Sequence, residues 1–340
     1  MKYKTITDFD QISEKEWEQA LNNSGILSPF LRYGFQRAWW SHLGGGEWQN
    51  GELRIITAEE NGRFIGIAPL FSTELEDEKQ IHFIGSLEIC DYLDFIIPAD
   101  RATEFIQNAL QIAAGEADAF PGRIILYNIP DHSATIAALE QISENGSWSV
   151  QTEKAYHTPA ITLPDDWDTY LMNIDKKQRH EIRRKIRRAE GSEEDRVAWH
   201  MVGKEDDLGQ AIADFIGLME NDPDKAQFLS AEMRTQMDAI IRWAAQTDIL
   251  QLSFLTINEE NAAAYLCFNH AGRTWVYNSG FSSGFGYYSP GWVLLAYLIQ
   301  HAINSGNTHF DLMRGDEEYK YRFGAEDSFV MKSIITRVKP

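Results

Sequence analysis

The sequence predicts an α/β (α+β) protein of two tandem units, each a twisted mixed sheet flanked by helices, divided as 1–155 and 156–340. Three observations predict it. The chain has 340 residues, and at about 150 residues per domain that length favours two domains. Its composition, 44% apolar and 12% aromatic, suits packed cores and not a solvated chain. Strand-like and helix-like runs also follow one another in an order that occurs twice, and such repetition is weighed before any fold is assigned.

In the first unit, residues 51–74 form two apolar runs around Asn61-Gly62, a dipeptide suited to the positive φ angles of a tight hairpin turn. A third strand is expected at 81–85 and a fourth at 92–97. After Pro98, residues Phe105, Ile106, Ala109, Leu110 and Ala113 recur at helical spacing. Residues 123–128 read as a strand and 133–142 as a short helix. The second unit repeats this order. Residues 249–269 give strand, turn and strand, with Glu-Glu-Asn at 259–261 as at 59–61. A strand at 274–279, a helix at 290–304, a strand at 308–313, a short helix at 317–322 and a last strand at 329–337 follow. Between the two repeats lie a helical stretch at 165–190, with Trp167, Tyr170, Leu171, Ile174, Ile182 and Ile186 on one stripe, and helices near 206–220 and 226–245. The boundary precedes Thr158-Pro159 and Leu163-Pro164.

Composition excludes several functions. The chain carries 31 Lys and Arg against 51 Asp and Glu, a formal net charge of −20, and a field of that sign opposes non-specific coating of DNA. Two cysteines, Cys90 and Cys267, make no disulfide framework and no zinc spacing. No apolar run approaches the roughly 18 residues of a membrane span, and the N-terminus, acidic almost at once, has no signal-peptide core. These features imply a cytoplasmic protein. The charge is uneven, however: Lys176, Lys177, Arg179, Arg183, Arg184, Lys185, Arg187 and Arg188 face a single acid, Glu181.

Several motifs fail on context. Residues 280–284 fit G-x-S-x-G, but a nucleophile elbow needs a helix directly after the serine, and here none can start before about residue 289. No His follows His309 to complete a triad. His180-Glu181 opens like a zinc helix, yet Arg184 stands where the second ligand belongs. No phosphate-binding loop with a following Lys-Ser or Lys-Thr is present, and no metal site is expected.

The informative stretch runs from 287 to 324. Ser289-Pro290 reads as a helix start, Ser as cap and Pro in the first turn. Gly284, Gly286 and Gly291 permit close backbone approach, and a helix N-terminus attracts anions such as pyrophosphate. Asp311, Arg314, Glu317, Tyr319 and Lys320 crowd around the end of the following strand, where open sheets tend to place ligands.

Tyr288-Ser289-Pro290-Gly291, Phe310 to Gly315 and Tyr319 to Gly324 together resemble the C-terminal signature of the double-GNAT acyltransferases, among them CelD-like proteins and Fem-type aminoacyltransferases. Lys320 with Phe323-Gly324 is similar to the Fem-type F-K-x-x-F-G run, in which the Lys sits near the reacting centre. Arg179 to Lys185 resembles the family's basic linker helix, and Asp91 to Asp94 its first-half D-Y-x-D segment. The resemblance implies two GNAT-like domains, the first degenerate and on the acceptor side, the second holding the acyl donor. It implies acyl-CoA, chiefly acetyl-CoA, as co-substrate, a splay between the strands ending near Ser279 and Met313, and Tyr277, Ser279, Tyr288, Ser289 and Gly291 as the donor-binding residues. The usual Q/R-x-x-G-x-G/A loop is replaced by residues 284–291, which leaves an aminoacyl-tRNA donor open.

Amine attack on a thioester or ester requires both reactants oriented, a proton accepted and an oxyanion stabilised. Lys320 or Arg314 is assigned to the anion, and Asp91 or Asp94 to holding or deprotonating the acceptor. Asp311 is either a base or the cap of the next turn, and Tyr319 is a candidate proton donor to the leaving thiolate. The basic helix is a salt-bridged surface helix, a phosphate-binding face or a tRNA contact. The leading function is acyl transfer from acyl-CoA to an amine of a sugar or small metabolite. Its alternatives are Fem-type transfer from aminoacyl-tRNA and a non-catalytic binding module.

Overall fold

A computed structural model of the protein describes residues 1–75, 77–115, 122–193 and 195–338. Contacts divide the chain into two units, Met1–His157 with Ser328–Pro340, and Thr158–Asp327.

The first unit runs β1 (Lys2–Ile6), α1 (Glu14–Ser24), α2 (Tyr33–His42), β2 (Glu52–Leu53), β3 (Ile55–Glu60), β4 (Arg63–Ala68), β5 (Leu70–Leu75), β6 (Glu78–Phe83), α3 (Ala102–Ala114), β7 (Arg123–Pro130), α4 (Ala134–Glu144) and β8 (Trp148–His157). Local chemistry sets these bounds. Ser13 and Glu16 make a reciprocal capping box at the start of α1. Asn61 and Gly62, at φ 53° and 77°, turn β3 into β4. Trp17, Phe30, Phe35, Trp39, Phe71 and Phe105 are fully buried, each contributing about 1.5–3 kcal/mol by leaving water.

The second unit runs β9 (Ala160–Thr162), α5 (Trp167–Asn173), α6 (Lys176–Glu190), β10 (Val197–Met201), α7 (Leu208–Met219), α8 (Pro223–Phe228), α9 (Ala231–Gln246), β11 (Leu250–Ile257), β12 (Glu260–His270), β13 (Arg273–Phe281), α10 (Pro290–Asn304), β14 (His309–Asp311) and α11 (Glu318–Arg322). Its sheet has the order β10-β11-β12-β13-β14-β9. The expected single helical stretch at 165–190 is two helices. Ile174 is extended, and the Asp175 carboxylate caps α6 by accepting from the amides of Lys177 and Gln178.

Three expectations are corrected. The final strand β15 (Phe329–Arg337) belongs to the first unit, not the second. It lies between β7 and β8 in the sheet β2-β5-β6-β7-β15-β8. Alternating burial identifies a strand but does not name its partner, so contiguity misplaced it. Residues 92–97 form no strand, and Ile96 makes an isolated bridge to Ile67. The two Glu-Glu-Asn triplets are not equivalent either. The second turn is made by Asn258 and Glu259, at φ 52° and 71°, so the second triplet starts on its turn, whereas the first ends on one.

Candidate active site

The second unit contains a divergence of strands. The parallel pairing of β13 with β14 covers Arg273–His309, Thr274–Phe310 and Trp275–Asp311. Beyond Trp275, β13 continues to Phe281, and among the described residues no strand pairs with it on that side. On its other side β13 stays with β12 through a register shift at Tyr277: Cys267 faces Val276 and Leu266 faces Asn278. Such a bulge bends and twists its strand.

Ladder alternation then fixes which main-chain groups look into the opening. The Ser282 amide donates to the Ala262 carbonyl at 2.9 Å, and Tyr265 faces Ser279 three positions along. The main-chain groups of Ser279 and Phe281 therefore point away from β12. Tyr277, on the bulge, is half-buried with its ring 5.2 Å from that of Phe268.

At the amino end of α10, Pro290 occupies the first position, but Ser289 does not cap the helix with its side chain. The tight turn over 283–288 delivers the chain at φ 52°, a left-handed conformation from which the Ser289 carbonyl takes the amides of Trp292 and Val293 at 3.0 and 3.1 Å. Gly291 serves packing as well as access: a Cβ there would lie 2.4 Å from the Phe281 ring. That ring is 39% exposed and stands edge-on to Tyr265. The Tyr288 hydroxyl, expected on the donor, is bonded instead to Asp195 at 2.5 Å and Ser192 at 3.0 Å. With Arg188 donating to the Tyr287 carbonyl at 2.7 Å, it ties the loop before α10 to the end of α6.

The turn after β14 is built around Asp311 and Lys320. Asp311 is buried. One oxygen accepts from Arg273 at 3.1 Å and the other from the Met313 amide at 2.9 Å, holding Met313 at φ 61°. Of the two readings of Asp311, the geometry is that of the cap. Lys320 is 2% exposed, and its Nζ donates to the carbonyls of Met313, Arg314 and Gly315 at 3.1, 2.8 and 3.1 Å. An ammonium has three protons, so this side chain fastens the loop and keeps no donor for an oxyanion. Arg314 is half-buried, with its carbonyl held in that grip. Glu317 lies 3.0 Å from the Lys320 Nζ with its side chain 58% exposed. Gly315, at φ 115°, makes room for it, since a Cβ would come within 2.4 Å of the Glu317 carboxylate.

Tyr319 is half-buried. Burial, then the Glu317 charge, raises its pKa, so the hydroxyl stays protonated. Tyr265 and Cys267, on one face of β12, are electrostatically coupled to it and raised by the same burial.

Sequence reasoning missed Lys225. It stands on α8, whose first turn is capped by Asp222, and its Nζ donates to the Ser279 carbonyl at 2.5 Å and Asn278 Oδ1 at 3.1 Å. Burial lowers its pKa. Nothing in the six residues of α8 signals this, because the contact is made across the fold.

The two acidic candidates lie in the first unit. Asp94 is 5% exposed, and its carboxyl accepts from the Phe95 amide at 2.8 Å and from the Thr135 and Ser133 hydroxyls, each at 2.5 Å. Burial pushes its pKa up to about 6. Ser133 caps α4, so Asp94 anchors that helix start. Asp91 is half-buried on the same segment. The first unit has its own diverging parallel pair, β6 with β7, joined at Gln80–Arg123 and Ile81–Ile124. There the chain itself lies against the freed end of β7: the Leu93 amide donates to the Asn128 carbonyl at 2.9 Å, and the Asn128 side chain donates to the carbonyls of Leu87 and Cys90 at 3.2 and 2.6 Å.

Most of the basic helix is engaged locally. Arg184 and Lys185 pair with Glu181, Arg183 lies 3.5 Å from Asp168, and Lys185 sits over the Trp292 ring at 4.1 Å. A recess of about 600 Å³ is lined by Lys177, Gln178, His180, Glu181 and Arg184 from α6, with Glu318 and Arg322 from α11. Among the described residues no group of three His, Cys, Asp or Glu is placed to hold a metal, and no helix is long and apolar enough to cross a membrane.

Residues 176–321 match the profile of the acetyltransferase (GNAT) domain. Over 98% of this chain and 97% of the other, the fold is similar to that of FemX, with a TM-score of 0.68 and 11% identity. A tandem GNAT protein from the clavulanic acid biosynthesis pathway also aligns, over 100% of this chain and 99% of that one, with a TM-score of 0.51 and 10% identity. Residues 176–321 thus form a GNAT domain, within a chain whose fold is that of a tandem GNAT protein.

The chain is likewise similar in fold to the C-terminal domain of a putative lysylphosphatidylglycerol synthetase from Agrobacterium fabrum, with a TM-score of 0.54, 10% identity and coverage of 93% and 91%. No curated protein matches. The chain is a transferase of the GNAT class, and its diverging β13 and β14 lie within the matched residues.

Proposed function

We propose that this protein moves an acyl group from acyl-CoA, acetyl-CoA in the simplest case, to an amine of a sugar or small metabolite. The observation that carries the reading is the edge of β13 beyond Trp275, which no neighbouring strand covers and where Phe281 turns its main-chain groups away from β12, Ser279 being held by Lys225 and Asn278. An extended, amide-bearing arm such as pantetheine can pair with such an edge, and the amino end of α10, at Gly291, suits the pyrophosphate. In this reading Tyr319 protonates the leaving thiolate, Lys320 and Asp311 keep the loop after β14 in place, and Asp91 remains the acceptor-side candidate. Asp94 acts by positioning α4. Both cysteines are free and buried, in keeping with a reducing, cytoplasmic setting.

One observation favours a second reading, transfer from aminoacyl-tRNA: the recess lined by Lys177, His180, Arg184 and Arg322. Calorimetry with coenzyme A and with tRNA separates the two. Binding of coenzyme A without tRNA supports the first. Tight tRNA binding that weakens steeply with salt, with no response to coenzyme A, overturns it. A chain that binds coenzyme A but turns over no amine is a binding module.

A further inference from the structure

The geometry points to Lys225 as a catalytic residue of this site, the cation that receives the oxygen of the acyl carbonyl as it becomes negative. The inference rests on the acyl-transfer reading and names a part of it that neither motif nor resemblance supplied.

The placement comes from α7 and β13. Gly280 lets α7 end directly on the strand, since a Cβ there would lie 2.6 Å from the Met219 amide nitrogen. The chain then turns through Asp222 into α8, and Lys225 reaches the open edge at Ser279. Its Nζ bonds the Ser279 carbonyl at 2.5 Å and Asn278 Oδ1 at 3.1 Å; a third acceptor, Ser279 Oγ, stands at 3.5 Å, the outer limit of a hydrogen bond. One ammonium proton is thus weakly engaged.

Two further facts favour a role on substrate over that of a strut. Among the described residues no carboxylate makes an ion pair within 4 Å of this ammonium, the Asp222 and Glu317 charges acting on it from farther off, although burial makes a loosely paired charge costly. A neutral side chain would brace Ser279 as well. The main-chain amide at the same point is also occupied, since the Ser279 N–H donates to Asn278 Oδ1 at 2.8 Å. An oxygen arriving beside Ser279 therefore meets the Lys225 cation as its donor, the Phe281 amide lying two residues further along the edge. Lys320 cannot take the part, its protons being held by three carbonyls.

The step balances as follows. The amine nitrogen attacks the thioester carbon and the carbonyl π pair moves to oxygen, held by Lys225. On collapse the carbonyl re-forms and the C–S bond breaks. The nitrogen loses its proton to solvent, and the thiolate takes one from Tyr319, which solvent then restores.

The test uses the full chain with acetyl-CoA and hydroxylamine, a small nucleophile uncharged at neutral pH, following hydroxamate formation. Lys225→Met is expected to lower kcat by about 100- to 1,000-fold, the loss typical of one oxyanion donor. The coenzyme A Kd from calorimetry should change by less than about threefold, and Lys225→Arg should recover most of the rate. Lys225→Gln, which keeps a neutral N–H for Ser279, guards against a Met variant that does not fold and should lose comparable rate. A kcat within about threefold of wild type in either neutral variant overturns the assignment. So does a parallel loss of kcat and coenzyme A affinity that Arg does not rescue, which marks a strut. If the wild-type chain neither binds coenzyme A nor forms hydroxamate, the acyl-CoA reading itself has failed, and the assignment falls with it.

Discussion

Asp94 should make the first unit's stability depend on pH in a direction opposite to that of most carboxylates. Its carboxyl is buried, and burial moves its pKa from 3.8 to about 6. The three hydrogen bonds from Phe95, Ser133 and Thr135 act against that shift without cancelling it. A carboxyl whose folded pKa lies above its unfolded one contributes stability that is fully present below the unfolded value and is lost as pH rises through the folded one. The window therefore runs from about pH 4 to about pH 6, and two pKa units correspond to about 3 kcal/mol. Asp94→Asn removes the titration while keeping a carbonyl oxygen for the Phe95 amide and Thr135, with amide protons available to Ser133. Urea unfolding followed by the fluorescence of buried Trp17 and Trp39 measures it. The stability of wild type minus that of Asp94→Asn should fall by about 3 kcal/mol between about pH 3 and about pH 7. Parallel curves would refute the argument that burial governs this group.

Lys320→Met should destabilise the second unit by about 3 kcal/mol, because the carbonyls of Met313, Arg314 and Gly315 lose their donor together and Glu317 its partner; a loss below about 1 kcal/mol in urea unfolding would show that the loop holds without it. Coenzyme A should titrate calorimetrically to a single site per chain, since the first unit's divergence is lined by its own residues 84–93. Two equivalent sites would show that this segment yields to a ligand.

What could be read along the chain was whatever local chemistry encodes. The helix at 290–304, read from its Pro start, and the strand at 329–337 agree with the observed bounds. The hairpin at Asn61-Gly62 followed from two residues that tolerate positive φ. Pairings made across the fold were not legible. Nothing local told β15 to join β7 and β8, the edge strand β10 was too short and mixed to register, and the loop with Asp91 and Asp94 has the composition of a strand without the pairing. The site divides the same way. Asp311, Arg314, Tyr319 and Lys320 were found because they crowd one stretch, but their tasks depend on which acceptors each side chain reaches. Ser289 was taken as a cap because serine caps are common, yet its left-handed backbone points the hydroxyl elsewhere.

The insertion of β15 between β7 and β8 has a bearing on biosynthesis. The fifth of the six strands of the amino-terminal sheet is supplied by amino acids the ribosome adds after the whole of Thr158–Asp327. The continuous carboxy-terminal unit can thus settle while the amino-terminal one, translated earlier, waits with a gap among its strands. Domains usually mature in the order of their synthesis; here the order is inverted, and nascent chains stalled short of Phe329 should expose the flanks of β7 and β8 to chaperones.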